Sequence, residues 1–485
     1  MNNKSLPPLN ARVINWIAVM LGLLMTLMVA RFIKTGQAEL LIRFVSFVVV
    51  LFILLRLDDK YWLAVPFSLT INFPLVPFQE SALSLAETVV PVAFLFFILR
   101  VLLRKKRVLN SGSIFVVLYF LLVLAAFIAN PVGFSVMGSE YFGARLYYKV
   151  LLGFMSFFII SNQKIHDKDS RLIIAFFIIG SFVSFLRAVL PYATNQVIVS
   201  EYAFYTWHQS MSVPAVAVII WLLSRYPLAF SFSPIRRQSW LFAGCMLITL
   251  ISGKRAAFAT AAIGPFIVAW QQRKFKFIIT AVMILSLLLA GLVWGNNRVF
   301  RLPSLVQRTL IFLPGRWDSR LMNMKKATFR TSMRRAALSH LRKNPVKGRF
   351  GFHINSYELY SIMRDPTIEE KTVAIMATGA AWHSTWLGIL ADLGISGAVL
   401  WALFLMHFIR ASSKSLKIVP PGTSAYVLCR MISLILSFHI IRSYTSWDSS
   451  SAPLKMWWLF GVVIAINNTR KENKEVSAPA ELPEV

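Results

Sequence analysis

Long apolar runs separated by short polar stretches recur along almost the whole chain. A hydrocarbon core of roughly 30 Å takes about 20 apolar residues per helix, so the pattern predicts α-helical membrane spans rather than a barrel. Spans are predicted near 13–30, 39–55, 61–78, 84–103, 113–129, 147–161, 172–190, 207–224, 239–252, 256–271, 276–295, 384–409, 422–441 and 454–467. That makes fourteen, with a range of 12–14, because Pro66 and Pro74 interrupt the third and because the ninth and tenth are short. The first run follows Lys4 and Arg12, no small-residue cleavage site comes after it, and it reads as a membrane helix rather than a signal peptide.

The loops predict an orientation. Alternate connections carry Arg56/Lys60, Lys105/Lys106/Arg107, Lys164/Lys168/Arg171, Arg225/Arg236/Arg237, Arg273/Lys274/Lys276, Arg410/Lys414/Lys417 and Arg470/Lys471/Lys474, whereas 79–83 and 191–206 on the other side are poor in cations. The positive-inside bias makes the first set cytoplasmic, with both termini. One outside connection departs from the pattern: residues 296–383 are long, and from 296 to 382 they hold sixteen Lys/Arg against five Asp/Glu. Within it, 318–345 places Leu321, Met324, Phe329, Met333, Ala337 and Leu341 near helical spacing with cations between them, the mark of a basic amphipathic helix lying on a membrane surface. The expected organisation is a bundle of about eleven helices over 1–295, the large external loop 296–383, C-terminal membrane helices over 384–467 and a disordered cytoplasmic tail over 468–485.

Composition excludes a soluble domain: 57% of residues are hydrophobic and 15% charged, and the mean hydropathy is +0.64. The formal net charge of +31 exceeds ordinary loop bias and calls for an anionic partner, either phosphate headgroups or an anionic substrate. Nucleic acid is not expected. Cys245 and Cys429 each lie inside an apolar run, so no disulfide framework or cysteine metal site is indicated.

Two places combine candidate chemistry with the outer face. The corner between the ninth and tenth spans reads Ser252-Gly253-Lys254-Arg255; adjacent cations there serve as interfacial anchors or, on the outer side, as a fork for a diphosphate. At the end of the basic loop, Ala381-Trp382-His383-Ser384 opens a long apolar helix that continues to Gly394-Ile395-Ser396-Gly397, whose glycines alone signify close helix packing. Glu201, His208 and Asp448 are further outer-face titratable residues, read first as solvated loop groups and second as reserve bases.

Together these stretches resemble the O-antigen ligase/polymerase family. His383-Ser384, nine residues, then Gly394-x-x-Gly397 matches the family's His-Asn or His-Ser helix, and 382–397 (WHSTWLGILADLGISG) follows its "HN-x-x-L-x-x-L-x-x-x-G-I-x-G" form. Residues 251–258 (ISGKRAAF) are similar to its "S-x-x-R-G/A" corner, and 334–351 (RRAALSHLRKNPVKGRFG) to the stretch "W-+-A-A-x-x-x-x-x-x-x-P-x-x-G-x-G" that leads to the histidine. The chain departs from the pattern at Ala256, where Gly is usual, at Arg334, where Trp is usual, and at Arg349-Phe350, which put bulk before the second loop glycine. Counting four residues back from the Trp position gives Arg330 as the loop arginine, with Arg334 and Arg335 as alternatives.

The resemblance implies an all-α polytopic fold, GT-C-like by analogy, in a bacterial inner membrane. It implies a metal-independent, inverting glycosyl transfer at the periplasmic face, from undecaprenyl-pyrophosphate-linked glycan to an acceptor hydroxyl. His383, Arg255 and Arg330 are then the candidate catalytic residues, with Lys254, Arg334, Arg335 and Ser384 binding the diphosphate or an anionic glycan. His383 is either the base that takes the hydroxyl proton or, protonated, a phosphate ligand. No metal and no cofactor is expected. The partners are the lipid-linked glycan, an acceptor glycan or lipid A-core, the bilayer, and a chain-length regulator and flippase. Polymerisation of repeat units is the first expectation and ligation the second. A transporter or flippase is the alternative from another class; it calls for cations within spans around a midplane site, and only Arg43 and Arg187 lie near or within apolar runs.

Overall fold

The computed structural model describes residues 52–53, 56–71, 84–104, 113–131, 144–193, 201–228, 235–319, 329–352, 384–443 and 450–477. These residues are nearly all helical and contain no strand beyond a single bridge between Asn296 and Phe300. A short 3-10 turn, Asp58–Leu63, leads into α1 (Ala64–Thr70). There follow α2 (Leu85–Arg104), α3 (Ser113–Ala129), α4 (Arg145–Ser161), α5 (Asp167–Ala193), α6 (Glu201–Arg225), α7 (Arg237–Ile251), α8 (Arg255–Gln271) and α9 (Phe275–Gly295). The last five are α10 (Ser304–Leu310), α11 (Phe329–Lys343), α12 (Thr385–Ile418), α13 (Ser424–Arg442) and α14 (Ser451–Ser477).

Among the described residues, five helices are long and apolar enough to cross a membrane: α2, α5, α9, α12 and α13; α3 and α7 are shorter apolar helices. The chain is an all-α membrane protein. The predicted spans near 13–30 and 39–55 lie outside the described residues except for Phe52 and Ile53. The span predicted over 61–78 begins instead as the 3-10 turn and the seven-residue α1, with Ile71 leaving helical geometry; Pro66 is accommodated because it sits in the first turn of α1, where a missing N–H costs nothing. At the other end of the chain, helix α14 continues through Ser477, past the apolar run and into the polar tail. Lys471, Glu472, Lys474 and Glu475 are good helix formers and outweigh Asn473 between them, so the helix continues without an apolar run.

Helices α4 and α14 form the tightest pair. A methyl group at Gly153 would stand 3.0 Å from the Leu454 backbone, and one at Gly461 would stand 3.1 Å from the Phe157 carbonyl. Small residues at both crossings let the backbones approach, the usual route to helix association in lipid. Phe157 and Phe460 stack beside them with centroids 5.4 Å apart. Around this pair, Tyr119 of α3, Trp401, Phe404 and Phe408 of α12 and Trp457 of α14 form a fully buried aromatic core.

Polar contacts gather at the two ends of the bundle. At one end Lys60 pairs with Asp169 at 2.6 Å, Asp167 accepts from the Ala425 N–H at 3.0 Å, and the Ile165 N–H donates to Thr469 at 3.1 Å. These segments carry or border the cation-rich connections. At the opposite end Arg145 grips Glu87 bidentately at 2.9 and 3.0 Å. Glu87 also accepts from the Ser84 N–H at 2.7 Å, closing a capping box at the start of α2. Segments 252–255, 304–310, 345–352, 384–396 and 439–443 meet in a set of contacts of their own, which forms the candidate site.

Candidate functional site

The corner between α7 and α8 takes three residues. Ser252 ends α7 by donating to the Thr249 carbonyl at 2.8 Å and accepts from the Lys254 N–H at 3.3 Å. Gly253 adopts φ +70, which only glycine takes without strain, and a side chain there would also press on Leu305 at 3.2 Å. Helix α10 lies against the corner: Thr309 donates to the Leu250 carbonyl at 2.8 Å, and Val306 and Leu310 pack on Phe258. This docking brings Arg308 of α10 close to Gly253.

Lys254 caps α8 and Arg255 is its first residue. Two cations at the positive end of a helix dipole are unfavourable on their own and become favourable with an anion in place. Lys254 is half-buried. Its ammonium is held below the ordinary lysine range, first by burial and then by the nearby charge of Arg442. Among the described residues no carboxylate pairs with it, whereas Arg255 is exposed at the surface.

Arg442 ends α13, and the residue after it ties α13 to the start of α12. The Ser443 carbonyl accepts from the Thr385 N–H at 2.7 Å and from the Ser384 hydroxyl at 3.1 Å. Ser384 in turn caps α12 by accepting from the Leu387 N–H at 3.3 Å. One turn before Arg442 lies His439, buried, with its ring 6.0 Å from that of Trp401 and within reach of the charges of Lys455 and Arg442. Cations from α8, α13 and α14 therefore gather where α12 begins.

A third contact fixes the rest of α12. At Gly394 the helix breaks, with φ 66 and ψ −161, and the freed carbonyls are taken by the incoming loop. The Arg349 N–H donates to Ala391 at 2.8 Å, the Gly351 N–H donates to Asp392 at 2.9 Å, and the Ile395 N–H donates to Pro345 at 2.9 Å. Gly348, at φ +61, sits so close that a side chain would meet the Ala391 carbonyl at 2.5 Å, and one on Gly394 would strike the Val346 carbonyl. The Arg349 guanidinium pairs with Asp392 at 2.8 Å, with side-chain exposures of 6% and 0%. The spacing Pro345-x-x-Gly348 and the kink glycine are thus two halves of one joint.

Residues 240–402 match the family model described as O-Antigen ligase. Over these residues, about a third of the chain, the protein is similar to the O-antigen ligase family. The matched stretch runs from α7 through the first half of α12, and so contains the corner, α10, α11, the 345–352 loop and the kink. No curated protein matches the chain.

The residues expected to carry the chemistry fall as follows. Lys254 and Arg255 stand together at the corner, and Ser384 lies beside Ser443, its hydroxyl engaged in the cap and the α13 tie. Arg334 and Arg335 are exposed on α11, whose opposite side buries Met333 and Ala337, with the helix packed along α12. Arg330 belongs to the first turn of α11, its side chain outside the described residues, as are His383 and Asp448 entirely and the side chain of Glu201. His208 is half-buried in α6. Among the described residues no group of three His, Cys, Asp or Glu is placed to hold a metal. Sequence reasoning missed Arg442, Arg308 and the Arg349–Asp392 pair. A cation ending a span on the side opposite the cation-rich loops would have been the signal for Arg442. An aspartate seven residues into an apolar helix would have been the signal for Asp392.

Proposed function

We propose that the protein transfers glycan from an undecaprenyl-pyrophosphate donor to an acceptor hydroxyl at the periplasmic face of a bacterial inner membrane, and that it polymerises O-antigen or exopolysaccharide repeat units. The observation that carries this reading is the convergence of Lys254 and Arg442 beside the Ser384 start of α12, next in sequence to His383. In the reaction the acceptor oxygen attacks the anomeric carbon from the face opposite the leaving group, and the bond to the diphosphate breaks with inversion. The electron pair departs with the diphosphate, and His383 takes the hydroxyl proton. Lys254, Arg255, Arg330 and Arg442 meet the charge that grows on the diphosphate, with Arg334 and Arg335 gathering the glycan. Contacts that strengthen as that charge develops lower the barrier without a metal ion. About fourteen spans, a GT-C-like arrangement, cytoplasmic termini, and work alongside a flippase and a chain-length regulator belong to the same reading.

A second reading, ligation of finished glycan to lipid A-core, is favoured by the matched family's description. The test is complementation of a strain lacking the protein with His383→Ala, Arg255→Ala and Arg442→Ala, scoring lipid-linked repeats and surface polymer. Single repeats accumulating at normal protein levels support polymerisation. Full-length lipid-linked polymer left unattached supports ligation, and unaltered polymer in all three variants removes the site assignment.

A further inference from the structure

Helix α9 differs from its neighbours in burying only its last residue, Gly295. Its side chains from 275 to 294 are exposed or half-buried, and the exposed face of so apolar a helix meets lipid. At its far end the chain turns back so that the 313–316 segment lies against it, leaving a groove of about 530 Å³ between the two. That volume is in the range of a binding site for a single small ligand.

The groove has a polarity along its length. One stripe of α9, Ser286, Ala290, Val293 and Trp294, forms its apolar wall, and Arg298 and Arg316 close one end. The stripe follows helical spacing, and its small residues at 286 and 290 hollow out the helix surface. From Ser286 to Trp294 the wall is about 12 Å long at 1.5 Å per residue, most of the roughly 15 Å depth of one leaflet. Trp294 is 62% exposed, and Arg298 lies over its ring, 5.4 Å from the centroid. That pairing marks the level of the headgroups, where tryptophan and arginine concentrate.

The opposite wall is built rather than incidental. Asn296 and Asn297 both donate to the Arg316 carbonyl, at 2.8 and 2.9 Å, which fixes the turn. A side chain at Gly315 would meet Val293 at 2.6 Å, so the close approach depends on glycine. Neither the Arg298 nor the Arg316 guanidinium is paired with a carboxylate among the described residues, whereas neighbouring Arg301 pairs with Asp318 at 3.0 Å. Two cations at headgroup depth above an apolar channel one leaflet deep complement a single class of molecule.

We infer that this groove binds an anionic membrane phospholipid, one acyl chain along α9 and the phosphate between Arg298 and Arg316. The site does not rest on the reaction proposed above. Leu289 and Leu313 line the groove and also pack on the Phe258, Val306 and Leu310 cluster beneath the corner. Lipid occupancy therefore supports the corner from behind.

The test uses the full-length protein in phosphatidylcholine vesicles with and without phosphatidylglycerol, each in turn brominated on its chains. Quenching of Trp294, taken as the difference between the native protein and Trp294→Phe, reports the lipid in the groove. Brominated phosphatidylglycerol is expected to be preferred, and Arg298→Gln and Arg316→Gln are each expected to cut that preference by up to about fivefold. Ala290→Phe, which fills the channel without adding a fluorophore, is expected to remove the preference for phosphatidylglycerol. Equal quenching by the two lipids, or a preference that survives in the double arginine variant, overturns the inference. Displacement of phosphatidylglycerol by polyprenyl phosphate at far lower concentration also overturns it, by giving the groove to the donor lipid. The arginines are exposed, so their variants test the idea even where Ala290→Phe does not fold.

Discussion

Arg349→Met should destabilise the protein far more than an ordinary loop substitution, because of what it leaves behind. Arg349 and Asp392 meet at 2.8 Å with 6% and 0% exposure, so neither charge has water to fall back on. Their gross attraction is about 6 kcal/mol at an effective dielectric constant of 20, most of it offset by the several kcal/mol each ion loses on burial. Removing one partner forfeits the attraction while the other's desolvation remains, a loss of about 3–5 kcal/mol. Removing both charges, as in Arg349→Met with Asp392→Leu, should recover most of this. About 1 kcal/mol stays lost because Arg349 also donates to the Gly351 carbonyl at 2.9 Å. The assay is unfolding in mixed micelles titrated with denaturing detergent, run as a double-mutant cycle. A cost below about 1 kcal/mol for Arg349→Met, or a double variant as unstable as the two single losses added together, would refute the view that this pair is a joint.

Three further outcomes follow from the same end of the molecule. Gly394→Ala should lower stability by about 1–3 kcal/mol or more, measured in the same titration, since φ 66 strains any side chain and the Val346 carbonyl occupies its place. Ser384→Ala should cost about 1 kcal/mol for the lost cap and shift polymer yield only modestly, as scored by gel; a complete loss of polymer at normal protein levels would make the hydroxyl a substrate ligand instead. The lowered pKa of Lys254 gives two opposite pH effects. As pH rises through that lowered value the ammonium is lost, so diphosphate binding should weaken earlier than in Lys254→Arg. Over the same window, up to the ordinary lysine pKa of the unfolded chain, the unliganded protein should become more stable, because the unfolded state then holds more protons. Titration of inorganic diphosphate binding against pH checks the first, and detergent unfolding against pH the second.

How much was legible in the sequence varies with the kind of interaction. The helices from 84 onward are readable because each must present apolar side chains to lipid or core over a length set by the bilayer, a constraint that acts residue by residue. Their ends fall within a few residues of the expected ones, apart from the longer polar extensions of α5, α6, α12 and α14. The span expected over 61–78 was less legible, since short range composition does not say where a helix breaks. The first part of the polar tail, through Ser477, is helical for a related reason: low hydrophobicity argues against a core, not against a helix that merely continues.

The candidate site divides along the same line. The Lys254-Arg255 corner and the Ser384 start of α12 are local features, visible as charges beside a turn glycine and as a serine before an apolar run. What lies beside them was decided only by tertiary structure. Arg442 stands 188 positions from Lys254 in sequence and comes near it because α13 packs against α8. Gly348 and Gly394 read separately as loop and packing glycines, and become one joint only when the backbone of one enters the break in the other. Hydrophobic periodicity reports which side of a helix faces away from water, because that partition is a property of each segment alone. Which segments then become neighbours depends on packing among all of them, and it is that packing which brings the cations together.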